Sequence, residues 1–381
     1  MGPVPPKKLA TLWEAPPHTI AKIAILERYL QAWFPIFGRV KGRFDLLYVD
    51  GFAGPGAYTN HPVGSPVVAL QAASKALTAS GTEWTAGNVH CAFFEPDAAR
   101  FAHLTQQVES FPEHPRLRTH LRQSSFVDGI TALKQQMPQA FSGLWTLFVF
   151  INPFGATGAP FSTVADILSS PRSEMLINFD ADAVARIFMA GNRASHEPLL
   201  NDIFGDDSWK TAFAGANSFH DRCRIALALY TNRLRSLNNV RYVFSFEMSK
   251  TGSTPDYFLI FASQHPRGLE KMKEAMRKMD QTGEYRFLDA HVGRPMLFRF
   301  DSPEDFAPKL HQHFAGQIVT YADARDFALN ETPFVNPKSM LKFLEFQDRI
   351  EVQSTDPRRR KGTFKEDVIV SITFESEVSD G

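Results

Sequence analysis

Cysteine is almost missing from the chain, with Cys91 and Cys223 the only two in 381 residues. That spacing builds neither a disulfide framework nor a zinc site, so no metal is expected. The two read as buried core thiols of a protein in a reducing cytoplasm. Net charge is missing too. The 41 Lys and Arg balance 41 Asp and Glu, which removes any global electrostatic case for a nucleic-acid or membrane partner and leaves only local patches. No apolar run approaches the ~20 residues that cross a bilayer. Residues 1–8 are Pro-rich, carry two lysines and contain no apolar stretch. Neither a signal peptide nor a membrane segment is therefore expected. Internal repeats and low-complexity tracts are also lacking.

Apolar residues, by contrast, make up 44% of the chain, and Phe alone accounts for 34 positions. That is enough for a well-buried core, and the length exceeds what one core usually serves. One large domain over 1–290 and a small one over 291–381 are expected. Ile23, Leu26, Leu30 and Trp33 recur at helical spacing after Pro16-Pro17, which predicts an amphipathic helix over 18–33. His18 and Lys22 share one of its faces. Either that face is solvated, or the helix lies over a ligand mouth with both groups pointing in.

Strands over 45–50, 89–95, 116–121, 144–151 and 174–179 then alternate with helices over 66–79, 97–110, 126–136 and 162–169. Several of the strands are continuous apolar runs, as in parallel sheets covered on both faces. Repeated strand–helix units imply right-handed crossovers and a doubly wound sheet. Residues 180–239 read as helical and longer than a simple crossover needs, hence as an insertion. Strands over 240–248 and 256–262, joined by a turn-rich link, permit an antiparallel hairpin, and a helix follows over 268–279. Five parallel strands finished by a hairpin match the sheet of class I S-adenosylmethionine-dependent methyltransferases. The expected fold class is therefore α/β: a mostly parallel Rossmann-like sheet with an antiparallel last strand. Helices over 303–314, 322–329 and 337–346, then strands over 349–353 and 368–374, read as a small C-terminal winged helix-turn-helix.

The chemistry concentrates where strands end. Leu46-Leu47-Tyr48-Val49 runs into Asp50-Gly51-Phe52-Ala53-Gly54-Pro55-Gly56, a buried strand entering a glycine-rich loop. No lysine follows Gly56, so a phosphate-cradling P-loop is excluded. Asp50 at the strand end would face a phosphate anion to anion and suits a cationic ligand instead. S-adenosyl-L-methionine carries an ammonium and a sulfonium, and Gly51, Gly54 and Gly56, with Phe52 between them, keep the loop bare so that such a cofactor can lie on the backbone. The second strand ends in Glu95, placed to accept from both ribose hydroxyls. Asp97 reads as a helix N-cap. After the third strand, Ser124 and its neighbours occupy the place of an adenine contact.

The fourth strand ends Asn152-Pro153-Phe154-Gly155. A polar residue, Pro and an aromatic at this position suit methyl transfer to an exocyclic or amide nitrogen. Asn152 or a neighbouring carbonyl supplies an acceptor for the amino group, and Phe154 supplies a face for a planar substrate. Positioning supplies much of the catalysis in such an in-line displacement. Near the C-terminus, Arg358, Arg359, Arg360 and Lys361 form a cationic run at the expected wing tip, where a phosphate backbone can be touched. A solvated hairpin tip or a protein contact fits the same residues. Lys338 and Lys342 sit four apart on the preceding helix.

Leu12-Trp13-Glu14-Ala15-Pro16-Pro17-His18-Thr19, the loop from Tyr48 to Gly56 with Gly64-Ser65-Pro66, Phe94-Glu95, Asn152-Pro153-Phe154-Gly155 and Tyr257-Phe258-Leu259-Ile260-Phe261 together resemble the three-Cys-motif partner protein family. The resemblance spans nearly the whole chain. It implies a methyltransferase-like domain with a winged-helix extension, and either methyl transfer or cofactor binding beside a separate three-cysteine partner protein. The family often carries Asp where this chain has Asn152, a change that keeps the acceptor and removes the charge.

Overall fold

The structure, a computed structural model, describes residues 10–42, 44–189, 193–250, 257–280, 283–292 and 302–376. Its centre is a sheet of β1 (Leu46–Asp50), β2 (Val89–Phe94), β3 (Leu117–Arg122), β4 (Thr146–Ile151), β5 (Ser173–Phe179), β6 (Tyr242–Ser249), β7 (Tyr257–Ser263) and β8 (Arg286–Leu288), in the order β3-β2-β1-β4-β5-β7-β6-β8. Strands β1 to β5 pair in parallel, and β7 runs antiparallel to both β5 and β6. This is the class I methyltransferase-like sheet expected from the sequence. The hairpin pairing of β6 with β7 is present, while link residues 251–256 lie outside the described residues. Strand β8 pairs parallel to β6 and was not expected; three residues are too few to show a period.

Strands β1, β4 and β5 are buried along their whole length, because helices cover both faces. On one face lie α1 (Pro17–Gly38) and the helices Ser65–Ser80 and Pro266–Met279. On the other lie the helices Phe126–Gln136, Phe161–Leu168, Ala181–Met189 and Phe219–Arg235. The described residues of 180–239 are mainly helical, as expected, and Phe188, Phe204, Trp209 and Tyr230 pack into that second core.

A buried carboxylate fastens α1 to the sheet. Glu174 of β5 accepts from Tyr29 Oη at 2.6 Å, Trp33 Nε1 at 3.0 Å and Ser263 Oγ at 2.8 Å. A buried acid survives only with such partners. The helix continues past the predicted end at residue 33, through Pro35, to Gly38.

The C-terminal unit has the three expected helices, Ala307–Phe314, Tyr321–Glu331 and Lys338–Phe346, and the ribbon of β10 (Ile350–Ser354) and β11 (Ile369–Phe374). A two-residue strand, β9 (Ile318–Val319), pairs on the far side of β11. Leu310, Phe314, Phe327, Leu341, Ile372 and Phe374 give the unit its own core. It is joined to the sheet by buried Lys273, whose ammonium donates to the carbonyls of Ala328, Thr332 and Phe334 at 3.2, 2.6 and 3.0 Å. Tyr242 Oη adds a bond to Asp326 at 2.9 Å. Among the described residues no helix is long and apolar enough to cross a membrane.

Candidate functional site

Strand β1 lies between β2 and β4, so the direction of winding reverses there. Ligands of such sheets bind outside the carboxyl ends of the strands at this point, and the sequence motifs of β1, β2 and β4 all end here.

Asp50 closes β1 and is 0% exposed. Burial pushes its carboxyl up to about 7, against the pull of the Ser65 side chain and the Phe52 N–H. The Phe52 N–H donates to Oδ1 at 3.2 Å. Asp50 Oδ2 is buried without a hydrogen-bond partner. Gly51 is needed for close approach, since a Cβ there would stand 2.4 Å from the Phe126 ring. Gly54 and Gly56 have φ of +62° and +80°, which side chains disfavour. The nearest group to a Cβ added at Gly54 is the Trp13 ring at 3.9 Å, while Gly54 itself is buried. Phe52 stacks on Phe126 with centroids 5.7 Å apart.

Glu95 follows β2 and is also buried. Desolvation raises its pKa, opposed by the Asp97 N–H and by Arg100. Its Oε1 accepts from Asp97 N at 2.8 Å and lies 3.2 Å from Arg100 Nε. Arg100 thus engages the same oxygen that the Asp97 N–H holds. Asp97 is the N-cap of the helix Ala98–Glu109. Beyond β3, the Ser124 hydroxyl is buried without a hydrogen-bond partner, as a polar group awaiting a ligand would be.

At the end of β4, Asn152 Oδ1 accepts from Lys22 Nζ of α1 at 2.6 Å. The two readings of the helix face are thereby resolved: Lys22 is 6% exposed and points inward. Burial lowers its pKa to about 7, countered by Asp180 and Asp50. The Tyr257 ring lies 5.0 Å from the ammonium. His18 also turns inward, its Nδ1 2.6 Å from Asp289 Oδ2. Pro153 is buried. Phe154 is 56% exposed and meets Trp13 edge-on at 5.4 Å; Trp13 meets Tyr58 at 5.6 Å. These groups, with Asn178, Asp180 and Asp182, surround a cavity of about 340 Å³. Asn178 Oδ1 is buried without a partner.

The structure thus brings Asp50, Gly51, Phe52, Gly54, Gly56, Glu95, Ser124, Asn152, Pro153 and Phe154 to one end of the sheet. Sequence reasoning missed Tyr58, Asn178, Asp180 and Asp289. Asn178-Phe179-Asp180 ends β5 as Asn152 ends β4, and reading that strand end in the same way would have found Asn178 and Asp180; Tyr58 and Asp289 carry no such signal. The side-chain-free turn at Gly54 and the unpartnered Ser124 hydroxyl fit a nucleoside-bearing cofactor. Among the described residues no group of three or more His, Cys, Asp or Glu side chains is arranged to hold a metal ion.

The C-terminal cations need correction. Arg359 is not available to a phosphate, because its guanidinium grips both oxygens of Glu345 at 2.6 and 2.8 Å, with both side chains largely buried. Lys361 pairs with Asp348 at 2.5 Å. The tip is held down by carboxylates of the preceding helix and turn, which the local sequence does not reveal. Arg358 and Arg360 are exposed, as are Lys338 and Lys342.

No family model and no curated protein matches the chain. Among solved structures, it is similar to an O-methyltransferase from Bacillus cereus in complex with SAH (11% identity, TM-score 0.34, covering 62% of this chain and 80% of that one). It is also similar to a putative O-methyltransferase from Klebsiella pneumoniae (10%, 0.32, 63% and 80%), and to a putative caffeoyl-CoA O-methyltransferase from Staphylococcus aureus (10%, 0.28, 62% and 82%). Overlaps this loose decide nothing about chemistry.

Proposed function

We propose that the chain is an S-adenosylmethionine-dependent methyltransferase acting on a nitrogen of a planar substrate, a nucleic-acid base or nucleoside. The observation that carries this reading is the Lys22–Asn152 pair at the end of β4, set beside the aromatic mouth of Trp13, Tyr58 and Phe154. The cofactor, when bound over Gly54, supplies an electrophilic methyl group. Phe154 offers the exposed ring on which a flat substrate stacks. Asn152 and Asn178 offer acceptors that hold an amino group in line. A nitrogen that gains a methyl must lose a proton, and Lys22, its pKa near 7, is suited to take it at neutral pH. A base inside a duplex must first be flipped out.

A second reading is that the chain binds the cofactor beside a three-cysteine partner protein and transfers no methyl group by itself. Two internal engagements favour it: Arg100 covers Glu95, and Lys22 occupies Asn152. Under this reading the C-terminal unit, as a winged-helix extension, is the docking element. The test is transfer of label from radiolabelled cofactor to RNA, DNA, nucleoside and protein pools, with and without the partner. Transfer to nucleoside or nucleic acid by the chain alone supports the first reading. Cofactor binding with no transfer to any pool unless the partner is added supports the second.

A further inference from the structure

The largest cavity described, about 520 Å³, lies at the opposite end of the sheet, where β4 and β5 begin. Its apolar walls are Trp33, Ile36 and Phe37 from α1, and Val40 and Phe44 from the segment between α1 and β1. The volume is in the range of small-molecule pockets. Two features distinguish it from a packing defect. Thr146 lines it at 0% exposure with its hydroxyl unpartnered, and a buried hydroxyl is rarely left so. At the rim, Arg172 holds φ at +60°, a region disfavoured for a residue with a side chain and enriched at ligand sites. Its guanidinium lies over the Phe44 ring at 5.0 Å.

The rim carries positive charge. Arg267 and Lys271 line the cavity with Arg172, but they are paired with Glu270 and Glu274. Among the described residues Arg172 has no carboxylate partner. The acid within, Glu174, has both oxygens engaged by Tyr29, Trp33 and Ser263, so it demands no cation.

From this placement we infer that the cavity is a second ligand site, for a small amphipathic anion with an aromatic or branched apolar body and one carboxylate or sulfonate head. The body lies against Ile36, Phe37 and Phe44, above the buried Thr146, and the head meets Arg172. The inference does not depend on the methyl-transfer reading, because none of these residues belongs to the first site.

The test titrates the full chain with 8-anilinonaphthalene-1-sulfonate and follows its fluorescence. Saturable binding of one probe per chain is expected. Charge reversal in Arg172→Glu and omission of the sulfonate, in N-phenyl-1-naphthylamine, each weaken binding by about tenfold or more, the scale of a lost charge-assisted contact. Val40→Trp, at a position 42% exposed, fills the cavity and abolishes binding. Both substitutions lie at the surface and report separately, so if one variant fails to fold the other still decides. Absence of saturable binding overturns the inference. So does equal affinity for the neutral probe, or unchanged affinity in a folded variant.

Discussion

Lys22 Nζ stands 2.6 Å from Asn152 Oδ1, joining the first helix to the end of the fourth strand. The contact puts an amine of lowered pKa against the residue that the sequence marks as the substrate acceptor. Substrate entry therefore breaks an existing bond. Under the proposed reading the lysine gives up this partner and, in its neutral amine form, accepts the proton.

Lys22→Met should leave cofactor affinity within a fewfold of wild type, because Lys22 lies on the β4 side of the site. Methyl transfer should fall by about 10²–10⁴, the usual worth of a general base. In the wild type the rate should rise with pH through about 7, where Lys22 loses its proton, and this limb should be absent from the variant. Equal pH–rate profiles would remove Lys22 from the chemistry.

Asp50 and Lys22 should oppose each other in stability against pH. The Asp50 pKa rises from 3.8 unfolded to about 7 folded. The folded state thus holds the extra proton, and stability from this group falls as pH climbs from about 4 to 7. The Lys22 pKa drops from 10.5 to about 7. Here the unfolded state holds the extra proton, and stability rises from about 7 to 10.5. Urea unfolding across pH should show Asp50→Asn flattening the acid-side fall and Lys22→Met removing the alkaline rise.

If Glu95 holds the cofactor ribose, Arg100, 3.2 Å from its Oε1, competes for that oxygen. Calorimetry should find binding weakened by about 1–3 kcal/mol in Glu95→Gln, the cost of losing a hydrogen-bond acceptor with charge. Arg100→Ala should bind at least as tightly as wild type. Weaker binding in Arg100→Ala would mean that Arg100 holds the cofactor and does not guard the acid.

Arg359 separates from its neighbours by function. Removing one partner of a largely buried ion pair costs about 3–5 kcal/mol, so Arg359→Ala should lower the thermal midpoint of the C-terminal unit. Arg358→Ala and Arg360→Ala, both exposed, should leave it within about 0.5 kcal/mol of wild type. If the tip touches a phosphate backbone, only these two substitutions will reduce the salt dependence of nucleic-acid binding.

Long apolar runs such as those at β1 and β4 announced the sheet, and the strand-end motifs announced most of the site, because both are local patterns. What stayed hidden was contact between distant segments. His18 and Lys22 were visible as one helix face, yet only the position of α1 above β4 and β7 shows that the face turns inward. Arg359 looked like a free cation until Glu345, on another element, was found beneath it. Strands β8 and β9 are too short to carry a period, and Asp180 was passed over because its strand end was not read for polar groups.

The central claim is that the cleft at the ends of β1 and β4 binds the methyl donor and passes its methyl group to a nitrogen. Its most direct test is a paired measurement on wild type and Lys22→Met: calorimetric binding of S-adenosylmethionine, and transfer of labelled methyl to RNA, DNA and nucleosides. The account predicts that both proteins bind the cofactor and that only the wild type labels a nucleoside nitrogen appreciably. Failure of the wild type to bind, or equal labelling by the two, would contradict it.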